Sequence, residues 1–277
     1  MEKDGSNLPM RILYGNPAGR AVLKAMFVLQ APKVMAWYLR TPFSKGMIRR
    51  YIRKYNIRMK GYPRVGYRSF SDFFERRKLQ NRFDADPEHF ISPCDGALSA
   101  YPITENSVFT VKGSQYRISD LVQDPELAER FHGGQCLIFR LAPPDYHHYA
   151  FVDDGYVHDH HYIEGQLHSV QPIACENVPV YRLNRRVWTL IDTEHFGPLV
   201  QIEVGALAVG GIVNEKTNET VKRGDTMGHF SLCGSTIVMF VTKDRIALRP
   251  EVKAVTDKGQ EYKIKLGDWI GTKIGEA

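Results

Sequence analysis

The sequence predicts an α+β fold, helical at its start and mainly antiparallel β in its body. Up to about residue 60 the apolar residues recur at helical spacing. After about residue 90 they gather in short runs cut by Gly, Pro and Asp, the texture of strands joined by tight turns. No β-α-β alternation and no G-x-G-x-x-G run is present, so a dinucleotide-binding fold is not expected.

The first element is the apolar stretch Ala21 to Gln30, with Lys24 inside it; Pro32 breaks the pattern and Val34 to Leu39 resumes it. Thr41-Pro42 reads as an N-cap followed by proline at the first helical position. Ile48, Tyr51, Ile52, Tyr55 and Met59 then fall on one helical face, with Arg49, Arg50, Arg53 and Lys54 on the others. Such a basic amphipathic helix suits an anionic lipid surface, and Trp37 and Tyr38 nearby favour that reading over a helix packed on the body. No apolar run reaches the roughly 18 residues that a spanning helix needs. A short helix is expected over Ser71–Lys78. Strands are expected at Val108–Val111, Cys136–Leu141, Tyr149–Val152, Val187–Ile191, Val200–Val204, Leu207–Val213 and Ile237–Val241. One helix, Asp120–Phe131, is expected among them, capped by Ser119 and ended at Gly133-Gly134.

With 277 residues, 43% of them hydrophobic and 25% charged, the chain can bury a sizeable core. We divide it into a basic helical membrane-docking region, 1–66, and a catalytic domain, 67–277. Residues 1–80 carry a net charge of +14 and the rest −8, which points to an anionic surface as partner and gives no sign of nucleic acid. The four cysteines are far apart and no secretory leader is read, so a reducing, cytoplasmic setting is expected.

Three polar positions stand out. Ser235 follows Gly234 and opens a strongly apolar strand; a hydroxyl so placed can attack its own preceding peptide bond. His147 and His148 follow the strand Cys136–Leu141 through Ala142-Pro143-Pro144-Asp145, where an imidazole can be fixed by a sheet and still reach a cleft. Asp95 lies in Ser92-Pro93-Cys94-Asp95-Gly96 and can orient a histidine. Taken singly, each is an ordinary turn or loop residue. A second group, His158, His160 and Glu164 with His161 and His168 near, partly resembles the metal-binding motif of cupins. Its glycine spacing fails, so no metal is expected and solvated strand histidines are preferred.

From about residue 68 to 245 the chain resembles the phosphatidylserine decarboxylases. The resemblance lies in Phe73-Phe74-Glu75-Arg76, Ser92-Pro93-Cys94-Asp95-Gly96, Lys112-Gly113 with Tyr116, and Pro144-Asp145-Tyr146-His147. It continues through Gly165 to Val170, Asn177-Val178-Pro179, Asn184-Arg185-Arg186-Val187, Asp192-Thr193-Glu194, Phe196-Gly197, Val204-Gly205-Ala206, Gly228-His229-Phe230 and Gly234-Ser235-Thr236. Three positions depart from the pattern. Ala150 stands where a second histidine is often assigned the relay, which leaves His147 as base and His148 as the alternative. Arg185 replaces an acidic residue, and Cys233 precedes Gly-Ser where Leu or Gly is frequent.

The resemblance implies a self-processing enzyme. Asp95 orients His147, His147 takes the proton of Ser235, and cleavage at Gly234-Ser235 gives a β chain, 1–234, and an α chain, 235–277, that stay together as a heterodimer. Ser235 becomes a pyruvoyl group, the only cofactor, which serves as electron sink while phosphatidylserine loses CO2 to give phosphatidylethanolamine. It further implies a peripheral protein at the cytoplasmic face of the cell membrane; a homo-oligomer is left open. The rivals are a serine hydrolase using Asp95, His147 and Ser235, an unprocessed non-catalytic membrane-surface relative, a metal-dependent cupin, and a pyruvoyl decarboxylase acting on a soluble amino acid. The hydrolase lacks a G-x-S-x-G elbow.

Overall fold

A computed structural model describes residues 8–29, 31–63, 66–111, 114–206, 211–232 and 235–275. Three helices open the chain: α1 (Leu8–Gly15), α2 (Pro17–Val28) and α3 (Ala31–Arg40). A 3-10 turn, Pro42–Lys45, leads into α4 (Gly46–Tyr55), and α5 (Phe70–Phe74) follows. Strands then dominate: β1 (His89–Ile91), β2 (Gly96–Pro102), β3 (Val108–Val111) and β4 (Ser114–Arg117). After α6 (Ile118–Val122) and α7 (Pro125–Glu129) come β5 (Gln135–Leu141), β6 (His148–Ala150) and β7 (Gly155–Ile163). Helices α8 (Pro172–Asn177) and α9 (Val180–Leu183) precede β8 (Arg186–Thr193), β9 (Gly197–Val204), β10 (Gly211–Asn214), β11 (Glu219–Val221), β12 (Thr226–Ser231) and β13 (Ser235–Val241). The chain closes with β14 (Ile246–Leu248), α10 (Pro250–Thr256), β15 (Tyr262–Ile264) and β16 (Trp269–Lys273). The α+β expectation holds.

The central sheet has eight strands in the order β11-β7-β8-β9-β13-β5-β2-β15, paired antiparallel throughout. Smaller sheets, β10-β12-β6 and β1-β16-β14, and the hairpin β3-β4 complete it. All seven residues of β13 are buried. Side chains alternate across a strand, so Val238 and Phe240 enter one core while Ile237, Met239 and Val241 enter the other. The first core also takes Tyr14 of α1 and Leu23 of α2. Cover on both faces explains why Ile237–Val241 reads as an unbroken apolar run.

Several expectations change: α8, α9 and α10 join the single helix expected among the strands, the helix expected over Ser71–Lys78 is found as Phe70–Phe74, and residues 207–210 of the strand expected over Leu207–Val213 lie outside the described residues. The helix Asp120–Phe131 is two helices. Gln123 turns left-handed, Asp124 caps α7 by accepting from the Leu127 amide at 2.9 Å, and Pro125 takes the first helical position. Proline lacks the amide that a continuous helix would need there. The apolar face of α4 does not face outward. It ends at Asn56 in the left-handed region, and Ile48, Tyr51 and Ile52 pack with Leu39, Phe70, Phe73, Phe74 and Leu232. Exposed apolar side chains of the N-terminal region lie instead just past α2, on α3 and on the 3-10 turn: Leu29 (75% exposed), Trp37 (68%) and Phe43 (85%). The sequence pattern marks an apolar stripe but not its partner, because apolar attraction has no direction.

Gly96 joins the Asp95 turn to β2. A Cβ there would sit 2.7 Å from the carbonyl oxygen of Arg140, in the neighbouring strand, and its φ is +153°. Gly96→Ala therefore forces β2 and β5 apart and is expected to destabilise the chain by ~2 kcal/mol. Urea unfolding reads this; an unchanged midpoint would refute the steric argument.

Candidate active site

The register of the central sheet assembles the site. Ser235 pairs with Leu141, the last residue of β5, while Thr236 pairs with Arg140 and Val204. Arg140 in turn pairs with Ala97, two residues after Asp95. The start of β13, the end of β5 and the start of β2 thus lie side by side. From Leu141 the chain turns through Ala142–Asp145, closed by the Ala142 amide donating to the Asp145 carboxylate at 2.8 Å and the Asp145 amide donating to the Ala142 carbonyl at 2.9 Å. His147 follows. The Asp95 turn is tied to this loop by a Cys94–Tyr149 bridge and by the Ala150 amide donating to the Pro93 carbonyl at 2.9 Å. On the other side of the Gly-Ser bond, the Phe230 amide of β12 donates to the His147 carbonyl at 2.9 Å. Gly234 and Cys233 lie outside the described residues, as do Lys112 and Gly113.

His147 is fully buried, its ring 4.3 Å from that of Phe74. Its Nδ1 lies 2.9 Å from the Asp145 carbonyl oxygen. A carbonyl only accepts, so Nδ1 carries the proton and, in the neutral ring, Nε2 keeps the free lone pair. Among the described residues nothing hydrogen-bonds to that Nε2 or to the buried Ser235 hydroxyl. Burial, with Arg76 near, pushes the His147 pKa down to about 3, although the Asp145 carbonyl and Asp95 oppose it. At neutral pH His147 is therefore an uncharged base. His148 donates from Nε2 to the Glu75 carbonyl at 2.9 Å and stacks on Tyr146 and His229. Burial lowers its pKa to about 4.

The structure corrects one expected role. Asp95 makes no hydrogen bond to His147; the Asp145 carbonyl orients that ring. Both Asp95 oxygens are engaged elsewhere, by Lys78 Nζ at 3.2 Å, Lys265 Nζ at 2.9 Å and the Leu266 amide at 2.9 Å. Burial alone would raise the Asp95 pKa, but the two lysines and the amide together hold it below the usual value. Asp95 thus acts on His147 through its field. The sequence carries no signal for Lys265, 170 residues from its partner, whereas the Asp145 turn had a local one.

The second histidine group disperses. His158 pairs with Asp192 at 2.8 Å, His160 bonds Thr189 and the Lys216 carbonyl, and His161 stacks on Trp188 at 3.9 Å. His168 contacts Gln166 and Tyr14. Glu164 pairs with Arg185 on the surface, so that departure from the motif lies in an exposed ion pair. Among the described residues no cluster of three or more His, Cys, Asp and Glu could hold a metal. Ala150 is buried with Tyr146 and Leu266, beside the Asp95 clamp.

A shielded hydroxyl at a strand start, with a neutral imidazole held one loop away, is a pair of groups of the kind that can serve as nucleophile and base. Comparison with known proteins gives the family. Residues 70–272 match the phosphatidylserine decarboxylase family. The phosphatidylserine decarboxylase proenzyme 2 of Clostridium acetobutylicum is 37% identical over 273 residues, covering 98% of this chain and 94% of that protein. The Clostridium novyi proenzyme is 38% identical, covering 99% and 96%, and that of Desulfitobacterium hafniense 33%, covering 99% and 94%. The chain belongs to the phosphatidylserine decarboxylase family, and it is a decarboxylase of the proenzyme type.

The depressed histidines make a pH prediction. A buried imidazole with a lowered folded pKa adds stability above about pH 6.5, the unfolded value, and loses it as pH falls toward the folded one. For His148 that window runs from about 6.5 down to about 4. Urea midpoints of the parent should therefore fall relative to those of His148→Gln between pH 7 and pH 4.5. Parallel pH curves would show that His148 is not held neutral by burial.

Proposed function

We propose that the chain cuts itself between Gly234 and Ser235 and then decarboxylates phosphatidylserine with a pyruvoyl group made from Ser235. The observation that carries this reading is the buried, unpartnered Ser235 hydroxyl at the head of β13, with the unpartnered Nε2 of His147 in the adjoining loop. His147 Nε2 takes the hydroxyl proton as Oγ attacks the Gly234 carbonyl carbon. The peptide C–N bond breaks, leaving Ser235 with a free amine and an ester to Gly234. Loss of the Cα proton expels the Gly234 carboxylate from Cβ and gives dehydroalanine at 235. Its tautomer takes up water and releases ammonia, leaving the pyruvoyl ketone with no net oxidation.

The residues present suit that group. Paired with β5 from Ser235 onward and with β9 from Thr236, β13 holds its first residue in place with or without the preceding peptide bond. The ketone supplies a sink for the electron pair left when CO2 departs. The protein's part is to fix that carbon, keep water from it and supply a neutral imidazole. After cleavage, fragment 235–277 stays woven into the rest, since β15 pairs with β2 and β16 with β1.

The same reading places the protein peripherally on the cytoplasmic face of the membrane. Among the described residues no helix is long and apolar enough to cross a bilayer. Trp37 and Phe43 are exposed, and Lys24, Lys33, Arg40 and Lys45 accompany them along α2, α3 and the 3-10 turn. Leu39 of α3 packs with Phe74, which rests on His147, so lipid-facing helices and site adjoin.

Intact mass under denaturing conditions tests the chemistry. The parent should give two fragments divided at Gly234-Ser235, the smaller reactive toward a carbonyl reagent. Ser235→Ala should give one unsplit chain, and His147→Ala should split about a hundredfold more slowly or worse. A split Ser235→Ala chain would remove Ser235 as nucleophile. Replacing Trp37 and Phe43 by serine should weaken binding to anionic vesicles severalfold and leave splitting intact; unchanged vesicle binding would reject this docking surface.

A further inference from the structure

Among the described residues two arginines are buried, and their surroundings differ. Arg186 is spent on the fold: its guanidinium donates to the carbonyls of Leu121 at 2.6 Å, Asp120 and Arg182 at 2.8 Å and Asn184 at 3.1 Å. Arg76, only 3% exposed, makes two longer bonds, to the Phe73 and Pro144 carbonyls, each at 3.3 Å. Its Nε–H has no partner, and among the described residues no carboxylate pairs with it. Its charged plane lies over the rings of Phe73 and Tyr62, at 4.8 and 4.9 Å. A buried charge left so poorly bonded is costly unless something completes it. Its position suggests what does. Phe73 belongs to the core shared with α3 and α4, while Pro144 lies in the loop that carries His147.

We propose that Arg76 receives the phosphodiester of the lipid head group; this rests on the decarboxylase reading above. The serine head group brings three charged groups to the site. Its amine goes to the ketone. Its carboxylate leaves as CO2, so a cation fixed on it would stabilise the ground state and slow the loss. The phosphodiester keeps its charge from substrate to product, and a cation there holds both without opposing the chemistry. A guanidinium presents forked donors that match phosphate oxygens. Lys78 and Lys265 are already committed to Asp95. Leu232 packs with Phe70, Phe73 and Phe74, next to Arg76, and lies two residues before the proposed cut. Splitting makes it the third residue from a chain end.

The test uses Arg76→Gln and Arg76→Lys in the full chain. Denatured mass first reports splitting, which both variants should retain, because Arg76 donates no hydrogen bond to His147 or Ser235 and losing its charge only makes the His147 imidazole more basic. Kinetics with glycerophosphoserine should then show KM raised about ten- to a hundredfold in Arg76→Gln, with kcat changed far less, and partial recovery in Arg76→Lys. Calorimetry with glycerophosphoethanolamine, which keeps the phosphodiester and lacks the carboxylate, should show the same loss of affinity. Unchanged binding of that probe beside a raised KM would assign Arg76 to the carboxylate and overturn the proposal. So would an unchanged KM. If Arg76→Gln fails to split, Arg76→Lys decides by the same two measurements. Failure of both to split would make Arg76 a residue of folding or cleavage and also overturn it. A parent that binds glycerophosphoethanolamine through Arg76 yet does not decarboxylate would defeat the reaction assignment and leave this inference standing.

Discussion

Strand β13 is hydrogen-bonded along its length to β5 and β9, and the site depends on that pairing. With both faces covered by apolar side chains, β13 cannot slide by one residue without turning Ile237, Met239 and Val241 into the wrong core. Register therefore fixes Ser235 beside Leu141, and Leu141 fixes where the His147 loop begins. The proposed chemistry breaks the chain at the head of the strand, where an end can be created without losing the strand's pairing.

Burial sets the electrostatics. It makes the His147 and His148 imidazoles weaker bases and keeps His147 uncharged, with a lone pair free. Asp95 stays ionised in the same interior because Lys78 and Lys265 converge on it. A carboxylate so held contributes a fixed negative field near the imidazole without competing for its Nδ1 proton, which the Asp145 carbonyl already takes. Orientation and charge are thus supplied by two different aspartates, one through its backbone and one through its side chain.

The N-terminal helices serve two surfaces. The apolar stripe of α4 is used up covering α5, whose Phe74 lies on His147. That leaves α2, α3 and the following turn to expose Trp37 and Phe43 beside lysines and arginines. One continuous packing joins the exposed apolar surface, the docking surface proposed above, to the histidine loop.

The sequence by itself determined the local order: the helical start, most of the strands, and the candidacy of Ser235 and His147, whose neighbours in the chain carry the signal. Even the break between α6 and α7 was written locally, in Asp124-Pro125, and helical periodicity masked it. Tertiary structure alone decided the partners. Asp95 meets Lys265 because β15 pairs with β2, and Arg76 lies against Pro144 because α5 packs on the histidine loop. Periodicity records that a face is apolar or a group charged. Which surface meets it is settled by register and packing between residues far apart in the chain, and no local pattern encodes that distance.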